Sequence, residues 1–319
     1  MIMNLRKLGS SDLAVAPLCL GGNVFGWTAD EAQSFSVLDA YTAAGGNFID
    51  TADSYSAFVP GNQGGESETI IGKWATSRGN RDDIVIATKV GQHPQYQGLA
   101  PANIKAAAEQ SLGRLGTDHI DLYYTHFDDE SVPVEDIITA LDDLVKAGTV
   151  RAIAASNISP ERLSASLAFS EREGLARYVA LQPHYNLVSR DTYEGERLEI
   201  AERSGLACVP YFALASGFLT GKYRPGVVAD SNNLRAMPGL AGGYADTERG
   251  AKVLAALDKV AAAHSAELAT VALAWLAQQP TVIAPIASAR NVEQLPALLA
   301  LQDLRLTEAE IRELTAASA

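Results

Sequence analysis

Phe48-Ile49-Asp50-Thr51-Ala52-Asp53-Ser54-Tyr55 starts as a buried strand and ends in polar chemistry. Phe48 and Ile49 are large and apolar, and no helical period fits the run. An acid closes the strand and a phenol follows five residues after it, so two ionisable groups stand at the rim of a sheet. Read alone, the stretch is no more than a strand end, a turn and a surface aromatic. Two later strand ends change that reading.

Those strands are Ile84-Val85-Ile86-Ala87-Thr88-Lys89 and Ile120-Asp121-Leu122-Tyr123-Tyr124-Thr125-His126. Each is apolar or β-branched, and each finishes on one ionisable residue. Lysine is rarely buried without a partner, because taking its charge out of water is costly. Asp50 is the available partner. A cation beside a phenol stabilises the phenolate and lowers the phenol's pKa from about 10. Asp50, Tyr55, Lys89 and His126 can therefore form one proton-donating site.

In the contexts FIDTADSY, ATKV and YYTH, the order Asp50, Tyr55, Lys89, His126 resembles the catalytic tetrad of the aldo-keto reductases. The resemblance continues through Ser156-Asn157, LQPHYN (181–186) and PYFALASGFLTGKY (210–223), and covers nearly the whole chain. Each segment alone is weak; all of them in this order are specific. The resemblance implies an α/β fold, a (β/α)8 TIM barrel with an N-terminal β-hairpin and extra C-terminal helices, as one domain over residues 1–319. It also implies an NADPH-dependent oxidoreductase that reduces an aldehyde or ketone by hydride transfer. In that reading Tyr55 is the general acid, Lys89 lowers its pKa, Asp50 compensates Lys89, and His126 hydrogen-bonds the carbonyl oxygen.

Bulk properties agree with this. A chain of 319 residues is long for an ordinary domain and normal for an α/β barrel. Its 47% hydrophobic and 20% charged residues suit a soluble enzyme with a large core. The net charge of −13 argues against nucleic acid or an anionic membrane as partner. A small-molecule carbonyl substrate is the expected partner; nothing in the sequence sets an oligomeric state. Cys19 and Cys208 lie far apart in apolar runs, with no disulfide or zinc spacing, and point to a reducing, cytoplasmic setting. No metal is expected. The apolar run Leu13–Leu20 after Arg6 and Lys7 faintly suggests a signal peptide, but Pro17 interrupts it and Gly9-Ser10-Ser11-Asp12 opens it, so a hairpin and a strand explain it better.

Along the chain, Leu5–Ala16 reads as the hairpin. Strands are expected at 17–21, 48–51, 84–89, 120–126, 150–155, 178–182, 206–211 and 282–286. Helices are expected at 30–43, 67–77, 101–115, 133–146, 160–173, 191–203, 248–263, 266–278, 291–299 and 307–317. The segment 213–247 reads as a long loop, of a length that is usually functional or mobile. The alternation implies parallel strands and right-handed crossovers. The count does not separate a barrel from an open sheet; the resemblance favours the barrel, and no G-x-G-x-x-G follows any strand.

Cofactor residues follow from the resemblance. Ser156 and Asn157 match the pair that grips the nicotinamide carboxamide, with Gln182 as its third member; alternatively Ser156-Asn157 caps the following helix. Tyr211 matches the aromatic that stacks on the nicotinamide, Gly22 and Asn23 approach the ribose, and Asp50 lies beneath. Leu214, Ser216, Gly217, Leu219 and Lys222 would cover the pyrophosphate. Ser288 and Arg290 match the 2′-phosphate site, and Gln294 a position near the adenine, although Asn291 with Gln294 also has capping-box spacing. Leu298 departs from the pattern, standing where many members have an adenine-binding Asn. Phe25, Trp27, Tyr96 and Phe127 are aromatic candidates for a partly apolar substrate pocket. His93, His119, His184 and His264 read as structural or surface residues. Two other readings stand beside the enzyme: an NADPH-binding regulator of the same fold, like the potassium-channel β subunits, and a barrel aldolase using Lys89 as Schiff-base nucleophile.

Overall fold

The computed structural model describes residues 3–224 and 241–319. It opens with the expected hairpin, β1 (Arg6–Lys7) antiparallel to β2 (Ala14–Val15), with Arg6 opposite Val15. The barrel begins with β3 (Cys19–Gly21), β4 (Phe48–Asp50) and β5 (Val85–Val90). A small hairpin not foreseen from sequence, β6 (Gln92–His93) with β7 (Tyr96–Gln97), follows β5 directly. The barrel continues with β8 (Ile120–Thr125), β9 (Val150–Ser156), β10 (Tyr178–Gln182), β11 (Ala207–Cys208) and β12 (Ile286–Ala287). Their order is β11-β10-β9-β8-β5-β4-β3-β12, every pair parallel. The ends meet: Cys208 bridges Val282, the Ile283 N–H donates to Cys208 O at 2.9 Å, and the Ile286 N–H donates to Pro210 O at 3.0 Å. Closure leaves the eight-stranded sheet without an open edge among the described residues.

Eleven α-helices are described: α1 (Glu31–Ala43), α2 (Glu66–Arg78), α3 (Pro101–Leu115), α4 (Val134–Lys146), α5 (Pro160–Glu173), α6 (Glu196–Ser204), α7 (Ala241–Ala245), α8 (Glu248–His264), α9 (Leu268–Ala277), α10 (Leu295–Leu299) and α11 (Glu308–Ala317). Local chemistry sets their ends. Asp30 forms a capping box with Gln33 before α1, Ser159 caps α5 ahead of Pro160, and Thr307 with Glu310 repeats the box before α11. Among the described residues, no single helix is long and apolar enough to cross a membrane.

The differences from expectation have local causes. α6 starts at Glu196 rather than Asp191, because Gly195 holds φ 95° just before it and breaks the helical path. The seventh strand pairs only through Ala207–Cys208 in the ladder; Pro210 has no N–H to extend it. The helix expected at 291–299 is a 3₁₀ turn, Val292–Gln294, running into the short α10, with Pro296 in its first turn. The expected loop 213–247 carries a 3₁₀ turn at Ala215–Thr220 and α7; its residues 225–240 lie outside the described residues.

Two cores result. The larger lies between strands and helices and holds Ile49, Trp74, Tyr123, Ile153 and Trp275. The smaller fills the barrel interior with Phe48, Val85, Ala87, Leu122, Tyr124 and Ala154, and the hairpin's Leu8, Leu13 and Val15 join it as a plug. Asn47 ties the hairpin to β4, accepting from the Ala16 N–H at 2.8 Å and donating to Ala14 O at 2.9 Å. Successive side chains of a strand point to opposite faces. Phe48 points inward, so Asp50 does too; Val85 and Ala87 point inward, so Lys89 follows. The period of two thus aims an acid and a lysine into the barrel at its C-terminal end.

Tyr41 pins α1 to the barrel: its hydroxyl donates to Leu18 O at 2.7 Å, lies 3.1 Å from Phe48 O and accepts from the Phe48 N–H at 3.2 Å. A Cβ at Gly46 would lie 2.3 Å from the Tyr41 ring, so that position must stay a glycine for the ring to fit. Tyr41→Phe leaves these buried backbone groups short of a partner. It should cost about 1–3 kcal/mol, read as a lower denaturant midpoint at unchanged slope.

Candidate active site

A cleft of about 760 Å³ opens where the barrel strands end, and Asp50, Tyr55 and His126 line it. Lys89 lies beneath them, its side chain fully buried. Its ammonium reaches Asp50 Oδ2 at 2.7 Å and Oδ1 at 2.8 Å, Thr51 O at 2.7 Å, and the Tyr55 hydroxyl at 2.9 Å. Asp50 also accepts from Gln182 Nε2 at 2.8 Å and from the Tyr55 hydroxyl at 3.1 Å. A buried charge is tolerable only when paired and fully hydrogen-bonded, and here it is.

Burial, and then the Asp50 carboxylate, hold the Tyr55 phenol well above its ordinary pKa. The net shift is upward, so the phenol keeps its proton. Burial, with the Lys89 charge second, lowers the His126 imidazole to about 3, so it is neutral at physiological pH. Its Nδ1 is buried without a hydrogen-bond partner among the described residues.

Polar groups from the next strands form a connected chain. Tyr211 donates its hydroxyl to Asn157 Oδ1 at 2.8 Å. Asn157 Nδ2 donates to His126 O at 2.8 Å and to Ser156 Oγ at 3.0 Å. The Ser156 hydroxyl donates to Gln182 O at 2.9 Å. Asn157 holds φ 47°, a left-handed conformation that asparagine tolerates better than most residues. No side-chain cap from Ser156 or Asn157 to α5 is present; Ser159 does that work. Beneath Tyr211, His184 stacks with ring centroids 5.4 Å apart.

Asn23, Leu214, Ser216, Gly217, Lys222, Ser288, Arg290, Gln294 and Leu298 also line the cleft. Ser288 Oγ donates to Asn23 Oδ1 at 2.5 Å, and Gln294 Oε1 accepts from the Arg290 N–H at 2.9 Å. Gly22 and Leu219 stand back from it: Gly22 donates to Asp50 O at 2.7 Å, and Leu219 is in the core. Of the aromatic candidates, Trp27 and Phe127 are on the cleft. Phe25 is fully buried in the core, and Tyr96 sits in β7 against His93, so neither is a wall of it. The sequence reading passed over Phe58, which follows Tyr55 in the same loop, and Phe212, which follows Tyr211; both line the cleft. Their adjacency to two chosen residues was the available signal.

The profile of the aldo/keto reductase family matches residues 17–319. The chain belongs to this family. This aldo/keto reductase is 31% identical to norsolorinic acid reductase B of Dothistroma septosporum, over 99% of its own length and 81% of the relative's. It is 33% identical to norsolorinic acid reductase stcV of Emericella nidulans (95% and 78% covered) and 31% identical to aryl-alcohol dehydrogenase [NADP(+)] of Phanerodontia chrysosporium (94% and 82% covered). It is an oxidoreductase of the aldo-keto reductase class. Among the described residues, no group of three His, Cys, Asp or Glu side chains could hold a metal ion.

Behind the cleft of this reductase lies a second buried cluster. Glu68 pairs with Arg114 Nε at 2.6 Å and accepts from Thr88 Oγ1 at 2.5 Å. Asp53 is fully buried with no side-chain partner for its carboxylate among the described residues, and the backbone N–H groups of Gly91 and His93 give it only weak support. Burial, then the Glu68 charge, raises Asp53 to about 7, against an opposing pull from Arg114. The folded state therefore holds a proton that the unfolded chain releases near pH 4. Stability from this group falls as pH rises from about 4 to 7, and the penalty is complete above 7. Asp53→Asn removes it. Thermal melts should show the variant gaining most on wild type at pH 8 and clearly less at pH 5; an equal difference at both pH values would show that Asp53 does not titrate in this window.

Proposed function

We propose that the protein is an NADPH-dependent carbonyl reductase in which Tyr55 is the general acid. One observation carries the reading: a buried lysine, paired to an acid, lies 2.9 Å from a cleft-lining phenol. NADPH, when bound, supplies the hydride. Tyr55 hydrogen-bonds the carbonyl oxygen and transfers its proton as negative charge grows there. Its raised pKa keeps the proton in place until then. Lys89 stabilises the phenolate that remains, and Asp50 keeps Lys89 positioned and charged. The neutral His126 can donate one ring N–H toward the same oxygen and orient it.

The cleft's lining suits such a cofactor. Carboxamide-binding groups (Ser156, Asn157, Gln182) and the Tyr211 ring stand beside Tyr55, the Ser216-Gly217 turn adjoins them, and Lys222 and Arg290 bring positive charge. A Cβ at Gly21 would lie 2.5 Å from Ser288 Oγ, so Ser288 packs directly against bare backbone there. The Phanerodontia relative, an NADP(+) aryl-alcohol dehydrogenase, supports NADP rather than NAD.

Tyr55→Phe keeps the ring and loses the proton donor. It should lower turnover by about 10²–10⁴-fold while NADPH affinity changes little; a Phe variant with near-wild-type turnover would remove Tyr55 from the role. The protein's net charge of −13 disfavours a dianionic 2′-phosphate unless a local cation meets it. Arg290 is that cation in this reading, so Arg290→Ala should weaken NADPH by roughly tenfold to a hundredfold and leave NADH almost unchanged. Titration of both cofactors against both proteins checks it, and equal losses would displace the 2′-phosphate site.

A further inference from the structure

Tyr211 lines the cleft, and His184 stands behind it without lining it. The two residues form a parallel backbone bridge, and the Tyr211 N–H donates to Pro183 O at 3.0 Å, so the chain sets them side by side where β10 and β11 run out. Their rings stack with centroids 5.4 Å apart and planes 22° from parallel, within the range of an offset aromatic pair. The imidazole covers one face of the phenol ring and leaves the other to the cleft.

The Tyr211 hydroxyl alone cannot fix that ring. Its hydrogen bond to Asn157 Oδ1 at 2.8 Å acts at the far end of the axis about which the ring turns. The bond therefore pins the tip of the ring and not its plane, and the torsion that sets the plane is soft. A flat group packed against one face removes this freedom.

The imidazole is itself held. Asn186, fully buried, accepts the Val188 N–H on Oδ1 at 2.9 Å, which turns its amide nitrogen the other way. That Nδ2 lies 3.3 Å from His184 Nε2 and donates to Phe212 O at 3.0 Å. A donor at this place makes Nε2 the acceptor and puts the ring's proton on Nδ1. Burial lowers the imidazole's pKa against an opposing pull from Asp191, so the ring is neutral at physiological pH. Phe212 closes the cluster edge-on, 5.4 Å from His184 and 5.1 Å from Tyr211. Its backbone sits at φ 53°, a left-handed conformation that is costly for a bulky residue and that the same buried amide sustains. Backbone strain kept directly behind a cleft wall points to a role in the site rather than to packing alone.

We propose that His184 is a positioning residue: it sets the plane of the Tyr211 ring before the cofactor arrives and, through that ring, aligns the nicotinamide. The proposal rests on the NADPH reading above. Ordering the ring in advance removes that cost from binding. An aromatic pair of this kind is worth roughly twofold to tenfold in affinity. Only the nicotinamide end of the cofactor should feel it.

The test titrates NADP+ and 2′-phospho-ADP-ribose, which lacks the nicotinamide, calorimetrically into wild type, His184→Ala and His184→Phe. His184→Ala should bind NADP+ roughly fivefold more weakly and should bind 2′-phospho-ADP-ribose as wild type does, which also shows that the variant is folded. His184→Phe keeps a flat ring without the nitrogens and should recover most of the lost affinity. Equal weakening of both ligands by His184→Ala, or no weakening of either, would overturn the proposal. A Phe variant as weak as the Ala variant would do so too, because the loss would then follow the Asn186 contact rather than the stack. Failure of wild type to bind either ligand would strike the NADPH reading itself, and the proposal with it.

Discussion

The buried pair of Lys89 and Asp50 is the constraint on which the rest of this site depends. An ammonium with no exposed surface is stable only if its charge and all its protons are met. Asp50, Thr51 O and the Tyr55 hydroxyl meet them, and each lies on β4 or the loop it leads into. The pair therefore fixes how β4 and β5 end relative to each other. It also fixes the start of the loop that carries Tyr55. Removing one partner of such a pair typically costs about 3–5 kcal/mol, far more than the pair adds over two apolar residues. The arrangement is thus poor value as a stabiliser, and its worth is in the electrostatics it imposes on the phenol.

Strand periodicity does the placing. In β4, β5 and β8 the inward residues run from large apolar side chains at the bottom to ionisable ones at the top. The hairpin plug and Phe48, Val85 and Leu122 exclude water below, and polar groups take over only at the last inward position. Burial at that level is what raises Tyr55 and lowers His126, so the packing of the barrel floor and the proton chemistry at its mouth are one design.

Much of this was legible in the sequence because strand ends, caps and turn residues act locally. Pro101–Leu115, Pro160–Glu173 and Tyr178–Gln182 form as read, since proline starts, glycine stops and apolar runs all agree there. Asp50, Lys89 and His126 were legible because each is an ionisable group at the end of an apolar run. The failures were non-local. The direction of the Tyr55 shift depends on how deeply the loop packs, which no motif encodes. Phe25 and Tyr96 look like mouth aromatics, yet one enters the core and the other joins a hairpin that the sequence did not announce. Phe58 and Phe212 were missed because an exposed phenylalanine reads as an ordinary loop residue until the fold shows several converging. Asp53 and Glu68, fifteen positions apart, reveal their conflict only when both are buried near one Arg114.

The hydrogen-bond chain across the cleft joins these parts into a unit. It runs from Tyr211 through Asn157 and Ser156 to the backbone carbonyl of Gln182, and the side-chain amide of the same residue donates to Asp50, the acid that holds Lys89. The groups proposed to grip the nicotinamide carboxamide thus meet the groups proposed to deliver the proton at one residue, Gln182, by its backbone on one side and its side chain on the other. Members of such a network polarise and orient one another, so their contributions are not separable by single substitutions. The chain crosses from β11 to β4 by way of β9 and β10, which places its members on rigid strand ends and turns rather than on mobile loops. The barrel itself holds these side chains in register, so the proposed binding groups and the proposed proton donor share one scaffold.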